Sequence, residues 1–385
     1  MAELEQLARK SGSIALDTEF MGEGRYRTLL CLIQVAVCDD AKGLCIELLD
    51  PLTEDLDVAP LASLLADPEI ELVVHAGRQD VALIRRYFRT EVRGIFDTQI
   101  AAGFAGMSAQ ASYDSLLSEI LGIRLSKSAS FTRWDARPLS TEQLAYARED
   151  VVHLLELAGE LKSRLRASGR LEWAVQECKA LEQVSDERDL KVVFSRLPRI
   201  RGLSLPAQTI ARELVEWREQ TAASQDRTVQ SVLPDAVLVE IAKRKPSTSE
   251  QLENIRGVGQ GTLRRRGQEL LKSIQRASDR PHEPLEPSQR SPIPDVADGP
   301  LIALAEALVR ARAREAGLAY ELVAGRSDLQ AIITAHRVGE DEAKVRTLQG
   351  WRRELVGEQL LQLLEGDISL SVSDGSLLVE SHPAD

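Results

Sequence analysis

Two acidic residues, Asp17 and Glu19, end an otherwise apolar stretch that reads IALDTEF at positions 14–20. Side chains two positions apart in a β-strand lie on the same face, so both carboxylates are expected to project together. Neighbouring carboxylates repel each other unless a cation or a proton lies between them. The pair alone is compatible with a solvated strand end and with part of a cation site.

Further carboxylates occur in two later segments. Asp80 follows the strand-like ELVVHAG and lies in the first turn of a predicted helix, where an acid also complements the helix dipole. Tyr146 and Asp150 are four residues apart in YARED and share one face of a helix that Ser140 and Gln143 are expected to cap. Apolar neighbours predict that this helix is largely buried and that Asp150, placed in its middle, needs a partner.

Together the three segments supply four carboxylates, the type of ligand that hard cations such as Mg²⁺ prefer. Two such ions, about 3.5–4 Å apart, can activate a water and stabilise the leaving oxygen of a phosphodiester. The five histidines are dispersed, and the sequence contains no HExxH, CxxC or GxSxG motif. Zinc chemistry and a serine nucleophile are therefore not expected.

Short apolar stretches rich in Val, Ile and Leu alternate with helical patterns over residues 12–105, which predicts an α/β domain with a mixed sheet and flanking helices. The pattern is helical from about 107 to 280. Six of the residues at 281–300 are proline, which is typical of an extended linker. Residues 301–372 are again helical, and 373–385 are predicted to be a flexible tail.

Charge is distributed unevenly along the chain. The formal net charge is −12, yet residues 243–280 contain ten Lys or Arg against four acids, a net charge of +6. The acidic remainder is consistent with carboxylates gathered to hold cations, and the basic segment with phosphate binding. No apolar run is long enough to span a membrane, and no signal-peptide pattern opens the chain, so we expect a cytoplasmic location without membrane contact.

The motifs DTE at 17–19, HAGRQD at 75–80 and YARED at 146–150 resemble those of the DEDD superfamily of 3′-5′ exonucleases, in the subgroup with a tyrosine in the third motif. The stretch LGIRLSKSASFTRWDARPLSTEQLAYAREDVVHLL looks like bacterial ribonuclease D. This resemblance implies a ribonuclease H-like mixed-sheet exonuclease domain over residues 1–170. It implies two Mg²⁺ or Mn²⁺ ions on Asp17, Glu19, Asp80 and Asp150, and a Tyr146 that orients or helps to deprotonate the attacking water. The implied reaction releases nucleoside 5′-monophosphates from RNA 3′ ends, including those of tRNA precursors.

The same resemblance suggests RNA contacts. Lys127, Trp134 and Arg137 lie in the matching loop ahead of the third motif, where Trp134 and Arg137 could equally well pack the loop. Residues 204–280, after a helical connector at 171–203, resemble an HRDC domain, a small all-α bundle. There the turn at Val258 and the residues Arg264, Arg265 and Arg266 could contact phosphate. Residues 301–372 would be a second, divergent HRDC-like bundle, which we expect to pack against the other domains.

Two alternatives remain open from sequence. A DNA-directed exonuclease shares the three motifs, because no motif here reports contact with the ribose 2′-OH. A catalytically silent RNA-binding module is disfavoured, because all four acids and Tyr146 are present. A monomer is the favoured oligomeric state.

Overall fold

The computed structural model describes residues 2–39, 43–53, 56–125, 133–279, 296–340 and 342–382. These residues form two compact units. The first unit contains the described residues of Met1–Glu19, Cys31–Ser185 and Arg290–Asp385, and the second contains those of Phe20–Leu30 and Asp186–Gln289. Among the described residues, no helix combines the length and the apolarity needed to cross a membrane.

A five-stranded sheet is the centre of the first unit. Its strands are β1 (Ser13–Met21), β2 (Leu29–Asp39), β3 (Gly43–Leu49), β4 (Glu71–Val74) and β5 (Ile95–Asp97), in the order β3-β2-β1-β4-β5. β2 and β3 pair antiparallel, whereas β4 pairs parallel with β1 and with β5. The predicted α/β class with a mixed sheet is therefore confirmed. The strand β5 was not predicted from sequence, because three residues are too few to show a periodicity.

The register of strand pairing determines which side chains meet at the end of this sheet where the parallel strands finish. Ala15 lies opposite Val73, and Val74 lies opposite Asp97. Because these strands are parallel, the carboxyl ends of β1, β4 and β5 meet at the same edge. The two acids of β1 lie beyond Ala15, and the segment that leads to Asp80 begins directly after Val74, so both approach this edge.

Eight α-helices lie among the described residues up to position 178: α1 (Ala2–Ser11), α2 (Ala59–Ala66), α3 (Arg78–Phe88), α4 (Thr98–Phe104), α5 (Tyr113–Leu116), α6 (Thr141–Val152), α7 (Leu154–Ala167) and α8 (Leu171–Cys178). The expected capping box of α6 is present, since Gln143 N donates to Ser140 Oγ at 3.2 Å and Ser140 N donates to Gln143 Oε1 at 3.0 Å. The helix that begins at Thr141 ends at Val152, because His153 adopts φ −110° and ψ 4° between α6 and α7. Asp150 is consequently in the last turn of α6 rather than in the middle of a helix.

The second unit is helical, with α9 (Leu190–Ser195), α10 (Leu205–Ser224), α11 (Val229–Val232), α12 (Asp235–Arg244), α13 (Ser249–Glu253) and α14 (Gln260–Ser278). The long helix α10 packs against α12 and α14. Their shared core includes Leu214, Trp217, Leu238 and Leu270, so Trp217 is a core residue of this unit.

The last described third of the chain forms α15 (Gly299–Glu315), α16 (Tyr320–Val323), α17 (Arg326–Val338), α18 (Gly350–Arg352) and α19 (Glu358–Glu365), followed by the strands β6 (Ile368–Ser373) and β7 (Ser376–Ser381). These helices belong to the hydrophobic core of the first unit. Trp351 stacks on Trp173 of α8 with ring centroids 5.1 Å apart and meets Phe104 of α4 edge-on at 5.2 Å. The C-terminal helices and the helices around the sheet thus share one core.

Two boundary predictions need correction. Residues 376–381, expected to be part of a flexible tail, form a hairpin with β6, because Asp374 and Gly375 both adopt positive φ and close a two-residue turn. An Asp-Gly pair between alternating apolar residues is the sequence signal for this turn. The predicted linker 281–300 lies mostly outside the described residues, but α15 already begins at Gly299, after a short 3₁₀ helix at Val296–Asp298.

Candidate active site

Three of the predicted carboxylates converge at the edge of the sheet. Asp17 and Glu19 of β1 and Asp150 of α6 each offer a carboxylate oxygen, and these oxygens all lie within 4.8 Å of one another. Asp150 is near the negative end of the α6 dipole, which disfavours a carboxylate there. Neither capping nor the dipole stabilises this charge, so the cluster is suited to a cation.

The fourth carboxylate, Asp80, is placed beside this group by the first turn of α3. Asp80 is buried, and its Oδ1 accepts a hydrogen bond from the Thr18 hydroxyl. Thr18 lies between the two acids of β1, so this bond ties α3 to the strand that carries them. Among the neighbouring carboxylates, Asp80 has the largest electrostatic effect on Asp17, whose pKa it raises.

The carboxylates oppose one another's ionisation. Burial, followed by the charges of Asp80 and Asp150, raises the pKa of Asp17 well above its ordinary value. Burial and the same two charges raise the pKa of Glu19 to about 8. Burial, with a contribution from Glu149, raises the pKa of Asp150 to about 7. Simultaneous ionisation of the three groups is therefore electrostatically costly unless a cation lies between them.

We expect the metal-free protein to lose stability as the pH rises from about 4 to about 8. The folded-state pKa values of Glu19 and Asp150 lie above those of an unfolded chain, so the folded state keeps protons that the unfolded state releases. Denaturant midpoints in EDTA should therefore fall across this window, and Mn²⁺ should restore them at pH 8. Glu19→Gln should give a flatter profile, whereas a wild-type profile in this variant would argue against the cluster.

Tyr146 is one turn before Asp150 on α6. Burial and the charges of Asp150, Glu19 and Asp17 raise the pKa of Tyr146 to about 12. The phenol is therefore protonated at neutral pH, which favours hydrogen bonding over proton abstraction. The Trp134 ring lies 6.1 Å from the Tyr146 ring, centroid to centroid, and packs beside it.

Comparison with known proteins identifies the family of this chain. Residues 1–166 match the family described as 3′-5′ exonuclease, and residues 207–274 match the HRDC domain. Ribonuclease D of Granulibacter bethesdensis is 34% identical over 374 residues, which cover 97% of this chain and 92% of that one. The chain belongs to the ribonuclease D family.

A second member of the ribonuclease D family, from Gluconacetobacter diazotrophicus, is 35% identical and covers 96% of this chain and 91% of its own. The solved structure of Escherichia coli RNase D, an exoribonuclease involved in structured RNA processing, matches with a TM-score of 0.80 and 28% identity. It covers 95% of this chain and 96% of that one. The predicted enzyme class, a 3′-5′ exoribonuclease, is thereby confirmed, and enzymes of this kind use divalent metal ions.

Trp134 and Arg137, which precede α6 and were predicted to contact RNA, both pack within the ribonuclease D fold. Trp134 is 3% exposed, so its ring offers no free face to a base. Arg137 donates to both oxygens of Asp50 at 2.5 and 2.6 Å and to the Cys31 carbonyl at 2.7 Å. Arg137 thereby ties this loop to the sheet. Lys127 lies outside the described residues.

The three arginines of α14 that were predicted to contact phosphate also differ in their surroundings. Arg264 and Arg265 are exposed, but Arg266 is 5% exposed and donates to the Val232 carbonyl at 2.6 Å and to Gln225 at 3.0 Å. Arg266 therefore holds the bundle together, because its donors are already used inside it. Arg264 and Arg265 remain the candidates for RNA contact.

Two site residues were missed from sequence. Thr18 lies between the two acids of β1, and its hydroxyl binds Asp80. Asp97 at the end of β5 binds the turn that leads into α3. The only available signal for Asp97 was its position between a short apolar run and a helix, which is typical of an N-cap.

Proposed function

We propose that this protein, acting in the cytoplasm, removes nucleoside 5′-monophosphates one at a time from the 3′-hydroxyl end of structured RNA, including tRNA precursors. The observation that carries the proposal is the convergence of Asp17, Glu19 and Asp150 within 4.8 Å, with Asp80 beside them. The involvement of Escherichia coli RNase D in structured RNA processing supports this class of substrate.

The acid cluster fits two divalent cations, Mg²⁺ or Mn²⁺. All of its donors are carboxylate oxygens, which these ions prefer, and their mutual repulsion gives each ion a favourable electrostatic environment. We assign Asp17, Glu19, Asp80 and Asp150 as the residues that would hold the ions. Bound there, the ions would supply an activated water and charge stabilisation at the phosphodiester.

Tyr146 would position the attacking water by hydrogen bond. Its raised pKa keeps the hydroxyl protonated, so it can donate to an oxygen at the reacting centre without becoming a base. The packing of Trp134 beside the phenol ring limits the positions that the hydroxyl can adopt. The role assigned to Trp134 is therefore to support Tyr146.

The second unit would add contacts to RNA. Arg264 and Arg265 are exposed on α14, where their charges can contact phosphates without sequence preference. Removing such a contact should weaken RNA binding and reduce its dependence on salt, with little effect on turnover.

The direct test compares a 3′-hydroxyl RNA with the same RNA carrying a blocked 3′ end. With Mg²⁺ or Mn²⁺, the first should lose single nucleoside 5′-monophosphates, visible by chromatography, and the second should persist. Equal degradation of both would contradict an exonuclease. A matched DNA oligonucleotide serves as the control for sugar preference, and faster loss of the DNA would favour a DNA-directed enzyme.

A further inference from the structure

One buried carboxylate outside the acid cluster binds the backbone of two separate turns. Asp97 is 2% exposed. Its Oδ1 accepts from Gln99 N at 2.8 Å and Ile100 N at 3.3 Å, which caps α4. The same oxygen accepts from Ala76 N at 3.1 Å, and Oδ2 accepts from Gly77 N at 2.9 Å.

The turn at Ala76 and Gly77 cannot maintain its conformation by itself. Ala76 has φ +51°, in the left-handed region that is costly for a residue with a side chain. Gly77 has no side chain to cap α3, and a Cβ at this position would lie 2.6 Å from the Val74 side chain. Contacts from outside the turn must therefore stabilise it.

The residue after Asp97 reinforces the same turn. The Thr98 hydroxyl donates to the Val74 carbonyl at 3.1 Å and lies 3.0 Å from His75 Nδ1. Asp97 and Thr98 together contact every residue from Val74 to Gly77. The start of α3 is thereby fixed to the end of β5.

We infer that Asp97 is a positioning residue for the metal-ligand carboxylate of Asp80. Asp80 lies three residues after Gly77, in the first turn of α3, so a change at the turn displaces its carboxylate from the group formed by Asp17, Glu19 and Asp150. This inference rests on the proposed function, and it gives Asp97 a role in metal binding without contact to the metal.

Asp97→Asn in the full-length protein tests the inference. Asparagine keeps one acceptor oxygen and remains a good N-cap for α4, but places an amide donor where Oδ2 accepts from Gly77 N. Titration calorimetry of the metal-free variant should show Mn²⁺ binding weakened by about 10-fold, the lower end of the effect of losing a direct partner of a metal ligand, because Asp97 acts on Asp80 through the turn. Turnover should fall, while KM for RNA stays within about twofold of wild type.

Asp189→Asn is the matched control, because Asp189 caps α9 in the second unit by accepting from Lys191 N at 2.8 Å. It should bind Mn²⁺ as wild type does. A folded Asp97→Asn variant with wild-type Mn²⁺ affinity would overturn the inference. If that variant does not fold, Thr98→Val removes only the hydroxyl contacts and should weaken Mn²⁺ binding in the same direction, whereas unchanged affinity overturns the inference.

The outcomes separate this inference from the proposed function. If wild type degrades RNA from the 3′ end and Asp97→Asn binds Mn²⁺ normally, only the role of Asp97 fails. If wild type has no 3′-dependent activity, the proposed function fails, and calorimetry still measures the effect of Asp97 on the acid cluster.

Discussion

Asp17→Asn should reduce exonuclease turnover by more than about 100-fold, because the loss of an outer partner of a metal ligand alone costs about 10–100-fold. The same substitution should stabilise the metal-free protein at pH 8. Asp17 is the carboxylate on which the charges of Asp80, Asp150 and Glu19 all act, so an uncharged amide relieves the largest set of repulsions. Activity and metal-free stability are thus expected to change in opposite directions.

Single-turnover release of 5′-monophosphate measures the first effect, and denaturant unfolding in EDTA measures the second. Asp57→Asn, an exposed position in the same unit, is the control and should change neither quantity. Retained activity in Asp17→Asn would show that the metal site is misassigned. Reduced stability without metal would show that Asp17 makes a structural contact that outweighs the repulsion.

Trp351→Ala should lower the free energy of unfolding of the first unit by about 3–5 kcal/mol. The ring is 4% exposed and contacts both Trp173 of α8 and Phe104 of α4, so its removal leaves a cavity in a core shared by distant parts of the chain. A loss of this size is a large fraction of the roughly 5–15 kcal/mol that stabilises a typical domain. We expect the melting temperature to fall by roughly 6–20 °C.

Far-UV circular dichroism during denaturant unfolding measures this change without relying on tryptophan fluorescence. Val372→Ala, in the C-terminal hairpin at 75% exposure, is the control and should stay within about 0.5 kcal/mol of wild type. An unchanged midpoint in Trp351→Ala would mean that the C-terminal helices contribute little to the stability of the sheet-bearing unit.

Much of the acid cluster was predictable from sequence, because its determinants are local. Two acids two residues apart on a strand, and a tyrosine four residues before an acid on a capped helix, imply shared faces without any knowledge of the tertiary fold. The mixed sheet followed from apolar runs of ordinary length. The break at His153 did not, because the apolar pattern continues through it, and it places Asp150 at a helix end.

The supporting contacts were not predictable, because they depend on pairing between segments distant in sequence. Asp97 binds Ala76 and Gly77 only because β4 and β5 pair in one register. Arg137 and Arg266 have the residue type expected of an RNA contact, and only the surrounding carbonyls and carboxylates show that their donors are used internally. Sequence indicates which groups can do chemistry, whereas tertiary packing decides which of them are available for it.

The shared core has a consequence for synthesis of the protein on the ribosome. All five candidate catalytic residues are translated by Asp150, but the helices that complete their core extend to Glu365, about 215 residues later. At typical elongation rates the nascent chain carries the incomplete core for roughly 10–40 s. During this interval the apolar surfaces of α4 and α8 lack Trp351, so they are candidates for chaperone binding. A fully stabilised nuclease then forms only when nearly the whole chain has been made.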